Sequence, residues 1–177
     1  MPIEKPNFIA TTVRGREPEA CRETKNILIE LGDASPKVEV TDVSGLIFGL
    51  TSLDVMQLPD MLKKLVSSDP WKMHLIQRFI PIQEVTDSTI ESIVDSAKKL
   101  SGLVGKNETF KVQVEKRHSE IDAMKLIKEI AAIFDQKVNL EEPDKVILVE
   151  VVGRIAGVSV LEPEKIFSSV IAKRGSI

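Results

Sequence analysis

Tyrosine is absent from this sequence, aromatic residues make up only 4% of it, and it holds one cysteine, one tryptophan and two histidines. Each shortage excludes something. So few rings leave little on which to stack unpaired bases, which argues against RNA modules that work through an aromatic sheet face. The lone thiol, Cys21, rules out an intramolecular disulfide framework and fits a reducing cytosol. His74 and His118 are far apart, so neither offers the paired spacing of a metal site. No run of about eighteen apolar residues is available to span a membrane. The opening residues Met1, Pro2, Ile3, Glu4, Lys5 and Pro6 lack the charged and then apolar order of a secretory signal. The expectation is a soluble, cytoplasmic protein.

An excess of positive charge is also missing. The formal net charge is −3, and dividing the chain after Val85 leaves neither half basic. A protein that coats nucleic acid by bulk attraction is therefore excluded, and any RNA site has to be a local cluster of Lys and Arg. There is no P-loop, no G-x-G-x-x-G and no C-x-x-C, so no nucleotide cofactor and no metal is expected.

What is present is an ordinary globular balance, 42% apolar and 29% charged over 177 residues, enough for one domain or two small ones. Phe8 to Val13 reads as a strand closed by Arg14, Gly15 and Arg16. Pro18 then suits a first helical turn, and Ala20, Cys21, Thr24, Ile27, Leu28 and Leu31 form the apolar stripe of a helix stopped by Gly32. Val38 to Val40 and Leu46 to Leu50 are two further strands. Thr51 or Ser52 is positioned to cap a second helix carrying Val55, Leu58, Leu62, Leu65 and Val66. After Asp69 and Pro70, a long strand is expected from Trp71 to Ile82, with Trp71 anchoring the sheet. The order β-α-β-β-α-β is that of a ferredoxin-like domain, expected over residues 5–83.

A second α/β domain is expected over residues 84–177. Thr86 or Ser88 caps a linking helix at about 88–104, with Ile90, Ile93, Val94, Ala97 and Leu100 inward. Phe110, Val112 and Val114 alternate with Lys111, Gln113 and Glu115 in a half-buried strand. Ser119 and Asp122 resemble a capping box for a helix presenting Ile121, Met124, Ile127, Ile130, Ala131 and Phe134. Val146 to Val152 is almost continuously apolar, as in a central strand covered on both faces. Gly153 and Arg154 form a turn, Val158 to Leu161 pairs back, and Pro163 opens a final short helix with Ile166 and Phe167. The fold class is α+β.

Residues 108–161 carry a resemblance. The strand from Thr109 to His118, the amphipathic helix after it, the V-x-L-x-x-P-D run from Val138 to Asp144 and the strand pair that follows resemble the core of a THUMP domain. Families with this module usually place a ferredoxin-like domain before it, and the whole chain is similar to the archaeal relatives of the eukaryotic tRNA acetylation adaptor. That likeness implies a non-catalytic protein that binds the acceptor end of tRNA and presents it to an RNA cytidine acetyltransferase. The signatures that larger THUMP enzymes carry beside the module, for methyl transfer, thiouridine synthesis or deamination, are not in the sequence.

The candidate RNA-binding residues are cations at turns. Lys116 and Arg117, beside His118, end a strand where a helix begins, and Arg14 and Arg16 flank a glycine turn at another helix start. Lys111 lies on the polar face of its strand, Arg154 in a hairpin turn, and Lys173 and Arg174 at the end of the last helix. Solvated turns explain several of these equally well. An acylphosphatase-like use of Arg14 fails, because residues 45–50 hold no asparagine to act with it. The remaining alternative is a protein-interaction or small-ligand regulatory domain built on a ferredoxin-like sheet. No catalytic residue is assigned.

Overall fold

The computed structural model describes residues 2–174. They divide into two units: the chain up to Pro81 together with the residues from Glu164 onward, and the stretch from Ile82 to Pro163.

The first unit contains β1 (Phe8–Thr12), α1 (Glu17–Glu30), β2 (Lys37–Val40), β3 (Leu46–Leu50), α2 (Leu58–Ser68) and β4 (Ile76–Pro81). β1 pairs antiparallel with both β3 and β4, and β3 with β2, which gives the order β2-β3-β1-β4 of the expected ferredoxin-like unit. The stripes of α1 (Ala20, Cys21, Ile27, Leu28) and α2 (Leu58, Leu62, Val66) close over Phe8, Ala10, Ile47 and Phe79 in one core. Cys21 is part of that core, and burial pushes its thiol pKa up.

Two expectations in this unit are corrected. Thr51 and Ser52 do not cap α2. Their hydroxyls donate to the Asp33 carboxylate at 2.5 and 3.0 Å, tying β3's end to the turn after α1. The helix starts only at Leu58, with Pro59 in its first turn, where a missing N–H costs nothing. The long strand from Trp71 is also shorter than expected. The Trp71 amide donates to the Asp69 carboxylate at 3.2 Å, and Pro70–Lys72 curls into a 3₁₀ turn. Trp71 is consequently 79% exposed and anchors no sheet.

The second unit contains β5 (Glu84–Asp87), α3 (Ile90–Leu100), β6 (Phe110–Arg117), α4 (Ala123–Ala131), β7 (Lys145–Val152) and β8 (Ile155–Leu161). Its sheet order is β5-β8-β7-β6, with β6 and β7 parallel and the other neighbours antiparallel. Ile93 and Ala97 of α3 and Leu126 and Ile130 of α4 pack with Phe110, Ile147, Val149, Val151, Ala156, Val158 and Val160. Each fully buried aliphatic or Phe side chain here contributes roughly 2 kcal/mol from its removal from water. β7 is central and buried along nearly its whole length, as its apolar run implied.

Two helix caps in this unit differ from those expected. Thr86 lies within β5, and Thr89 caps α3 by accepting from the Ser92 amide at 3.2 Å. Asp122 is itself the cap of α4, accepting from Lys125, so the helix starts later than a Ser119 cap implies and Met124 points outward, 62% exposed. The V-x-L-x-x-P-D run is a stapled loop. Phe110 exchanges backbone bonds with Lys137 and Asn139, and the Asp144 carboxylate accepts the Thr109 amide at 2.8 Å. These contacts hold the start of β6 against the start of β7 and so fix their parallel register.

The span expected for the second domain, 84–177, divides between the units. Pro163–Lys165 forms a 3₁₀ turn, then β9 (Phe167–Ser168) pairs with β4, followed by α5 (Ser169–Arg174). Phe167, expected on a helix, is a fully buried strand residue of the first unit's core. Lys165 and Asp60 add an ion pair at 2.7 Å. No helix among the described residues is long and apolar enough to cross a membrane.

Candidate nucleic-acid interface

β5 and β7 both run antiparallel to β8, and β6 runs parallel to β7. The C-terminal ends of β5, β6 and β7 therefore share one end of the second sheet. Both α3 and α4 begin at that end, each with its first turn of amides pointing there. Lys116, Arg117 and His118 arrive on the end of β6, Lys125 stands in the first turn of α4, and Arg154 lies in the β7–β8 turn.

Local hydrogen bonds assemble this end. The Gly153 amide donates to the Arg117 carbonyl at 2.9 Å, which sets the hairpin tip beside the end of β6. Ser88 donates from its amide to the Arg154 carbonyl at 3.0 Å and from its hydroxyl to the Gly153 carbonyl at 2.8 Å. Gly153 has φ +59°, while Arg154 has no positive φ, the pattern of a two-residue hairpin turn with glycine first. That geometry leaves the Arg154 side chain exposed at the tip.

Strand alternation separates residues that are adjacent in sequence. Val112 and Val114 pack toward the helices, and Lys116 follows their parity, its Nζ donating to the Ile121 carbonyl at 3.0 Å before α4. Lys111, Gln113, Glu115 and Arg117 take the opposite face. Arg117 NH1 lies 2.6 Å from Glu150 Oε2, with the arginine side chain 24% and the glutamate side chain 1% exposed. His118, at φ +53°, then leaves the strand. Lys116 and Arg117 thus reach the same end of the sheet from its two faces.

In the first unit the candidates sit at the end where β1 finishes and β4 begins. Arg14 is exposed in the β1–α1 turn, and Arg16 makes a surface ion pair with Glu19 at 3.4 Å. The turn amides are already occupied. Glu17 Oε1 accepts from Gly45 at 2.6 Å, Gly15 at 3.1 Å and the Ser44 hydroxyl at 3.3 Å. These donors, led by the Gly45 amide, hold the Glu17 carboxyl below its ordinary pKa. The protein's own carboxylate stands where a phosphate would bind. Lys173 donates to the Met73 carbonyl at 2.6 Å, and Arg174 is exposed at the end of α5.

Two participants were missed by sequence reasoning. Glu150 was visible as the one charge inside an apolar run, but its partner was not. Lys125 looked like an ordinary helix lysine, and it gains interest only because α4 starts beside the β6 end.

Residues 87–161 match the family model of the THUMP domain. No curated protein matches the chain by sequence. Among solved structures, PH1313 from Pyrococcus horikoshii Ot3 is similar with a TM-score of 0.62 at 13% identity, over 88% of this chain and 54% of that one. TrmN from Thermus thermophilus is similar with a TM-score of 0.57 at 13% identity, over 86% and 44%. A possible methylase from Clostridium difficile 630 gives 0.55 at 14% identity, over 86% and 40%. At such identities the likeness is one of fold. The chain spans about half the length of PH1313 and less than half of the other two.

Proposed function

We propose that this chain is a tRNA-binding adaptor that presents the acceptor end of tRNA to a modifying enzyme and performs no chemistry itself. The observation that carries this reading is the THUMP domain over residues 87–161, a tRNA-binding module of tRNA-modifying enzymes. The cations at one end of its sheet suit that use. Lys116 and Lys125 flank the start of α4, which Asp122 caps, and Arg154 lies in the turn bonded to Ser88 just before α3, so that their cationic groups suit phosphate oxygens. Such contacts fix register on RNA, and tRNA would then be selected by shape.

The partner we assign is an RNA cytidine acetyltransferase, on the strength of the sequence resemblance to acetylation adaptors. Acetyl-CoA and ATP would bind that enzyme, since this sequence carries no P-loop and no dinucleotide fingerprint. The test is acetylcytidine formation on tRNA by the partner enzyme, with and without this chain. Stimulation that disappears with tRNA lacking its unpaired 3′ end is expected. Equal rates with and without the chain would remove the adaptor reading.

A further inference from the structure

We infer that Glu150 is a positioning residue, whose buried carboxylate holds the Arg117 guanidinium in one orientation so that its remaining N–H groups meet an RNA phosphate as a pre-set fork. This inference rests on the tRNA-binding reading above.

The first observation is where the carboxylate sits. β7 is K-V-I-L-V-E-V-V, paired on both edges, and every residue from Val146 onward is buried. Glu150 is 1% exposed. A charge in that position loses its hydration, and an aliphatic side chain would pack there at least as well. Packing alone therefore gives no reason for Glu at 150.

The second observation is the contact. Arg117 NH1 donates to Glu150 Oε2 at 2.6 Å, a charge-assisted bond of good length. The register pairs Glu115 with Glu150 and Arg117 with Val152, so the arginine side chain reaches back along the sheet to residue 150. A guanidinium has five N–H donors in a fixed plane. One is committed to Glu150, and the side chain keeps a 24% exposed portion from which others can reach a ligand. The held geometry removes rotamer entropy that a free surface arginine would lose on binding.

The third observation is location. Arg117 is the last residue of β6, its carbonyl accepts from Gly153, and Arg154 follows in the same turn. Lysine would not serve here. An ammonium bound to Glu150 is a single point charge already neutralised, whereas a guanidinium presents a second edge.

The test uses the full chain and tRNA, with affinity measured on protein shown to be folded by its melting curve. Glu150→Gln keeps the side-chain shape and one acceptor while removing a negative charge. Attraction through net charge alone would tighten binding. Positioning weakens it, by about 2- to 10-fold, the worth of one hydrogen bond. Arg117→Lys, which retains both charge and ion pair and so protects the fold, is expected to lose a similar factor, and the double variant should bind no worse than Arg117→Lys alone. Glu150→Gln binding as tightly as wild type or tighter, or Arg117→Lys binding like wild type, overturns the inference while leaving tRNA binding in place. A wild-type chain that does not bind tRNA overturns both.

Discussion

At the scale of single residues, the structure separates cations that are available from cations that are engaged. Arg154 is exposed on a glycine turn and Lys116 is exposed with one N–H donated to a carbonyl, whereas Arg117 is held by Glu150 and Arg16 by Glu19. Charge reversal at Arg154 should therefore weaken tRNA binding more than reversal at Arg16, which is already paired with Glu19 on the surface. Filter binding of Arg154→Glu and Arg16→Glu at one salt concentration checks this, and equal losses would contradict it. Glu17 gives a prediction about pH. Its folded-state pKa lies below the ordinary value of 4.5, because backbone amides, that of Gly45 first, donate to the carboxylate. Its contribution to stability is thus fully present above the unfolded-state value and is lost as pH falls through the lower folded-state value. Wild type and Glu17→Gln should differ in melting temperature at neutral pH, and the gap should narrow as pH falls below the ordinary glutamate value and close as it passes the lower folded-state value. A gap that stays constant down to pH 3 would mean that the carboxylate charge is not what ties the two turns together.

At the scale of elements, most helices and strands were legible because their apolar residues recur with the period of the structure they form. α1 with Ala20, Cys21, Ile27 and Leu28, and β7 with its continuous run, are examples. What escaped was set by distant partners. Thr51 and Ser52 are good cap residues, yet Asp33 recruits both. Phe167 lies in a strand of two residues, too short for any period, and only its pairing with Phe79 of β4 assigns it. The candidate site was legible as a run of cations, and the alternation that splits Lys116 from Arg117 was already visible at Lys111, Gln113 and Glu115. Glu150 could not be paired from sequence, because 33 positions separate it from Arg117. Phe167→Ala should cost about 3–5 kcal/mol, as for other buried phenylalanines. Hydrogen exchange should then quicken in β1 and β4 and not in β7. Gly49 offers a second check on the same sheet. A Cβ there would stand 1.8 Å from the Phe8 ring, which is itself stacked on Phe79 at 4.6 Å. Gly49→Ala should cost about 3 kcal/mol in denaturant unfolding, and a cost near zero would mean that the Phe8 ring has room to move.

At the scale of the whole molecule, the formal net charge of −3 is the main constraint on how the proposed adaptor would hold RNA. Long-range attraction is weak or repulsive, so affinity has to come from a few phosphate contacts at close range. A protein of this kind binds detectably at low salt, loses affinity steeply with added salt, and loses one unit of salt slope for each contacting cation removed. The decisive measurement is tRNA binding across a salt series for wild type and for Lys116→Ala combined with Arg154→Ala. The account predicts a linear log–log dependence for wild type, and for the double variant weaker binding with a slope shallower by about two. Absence of tRNA binding at low salt, or a double variant with unchanged affinity and slope, would contradict it.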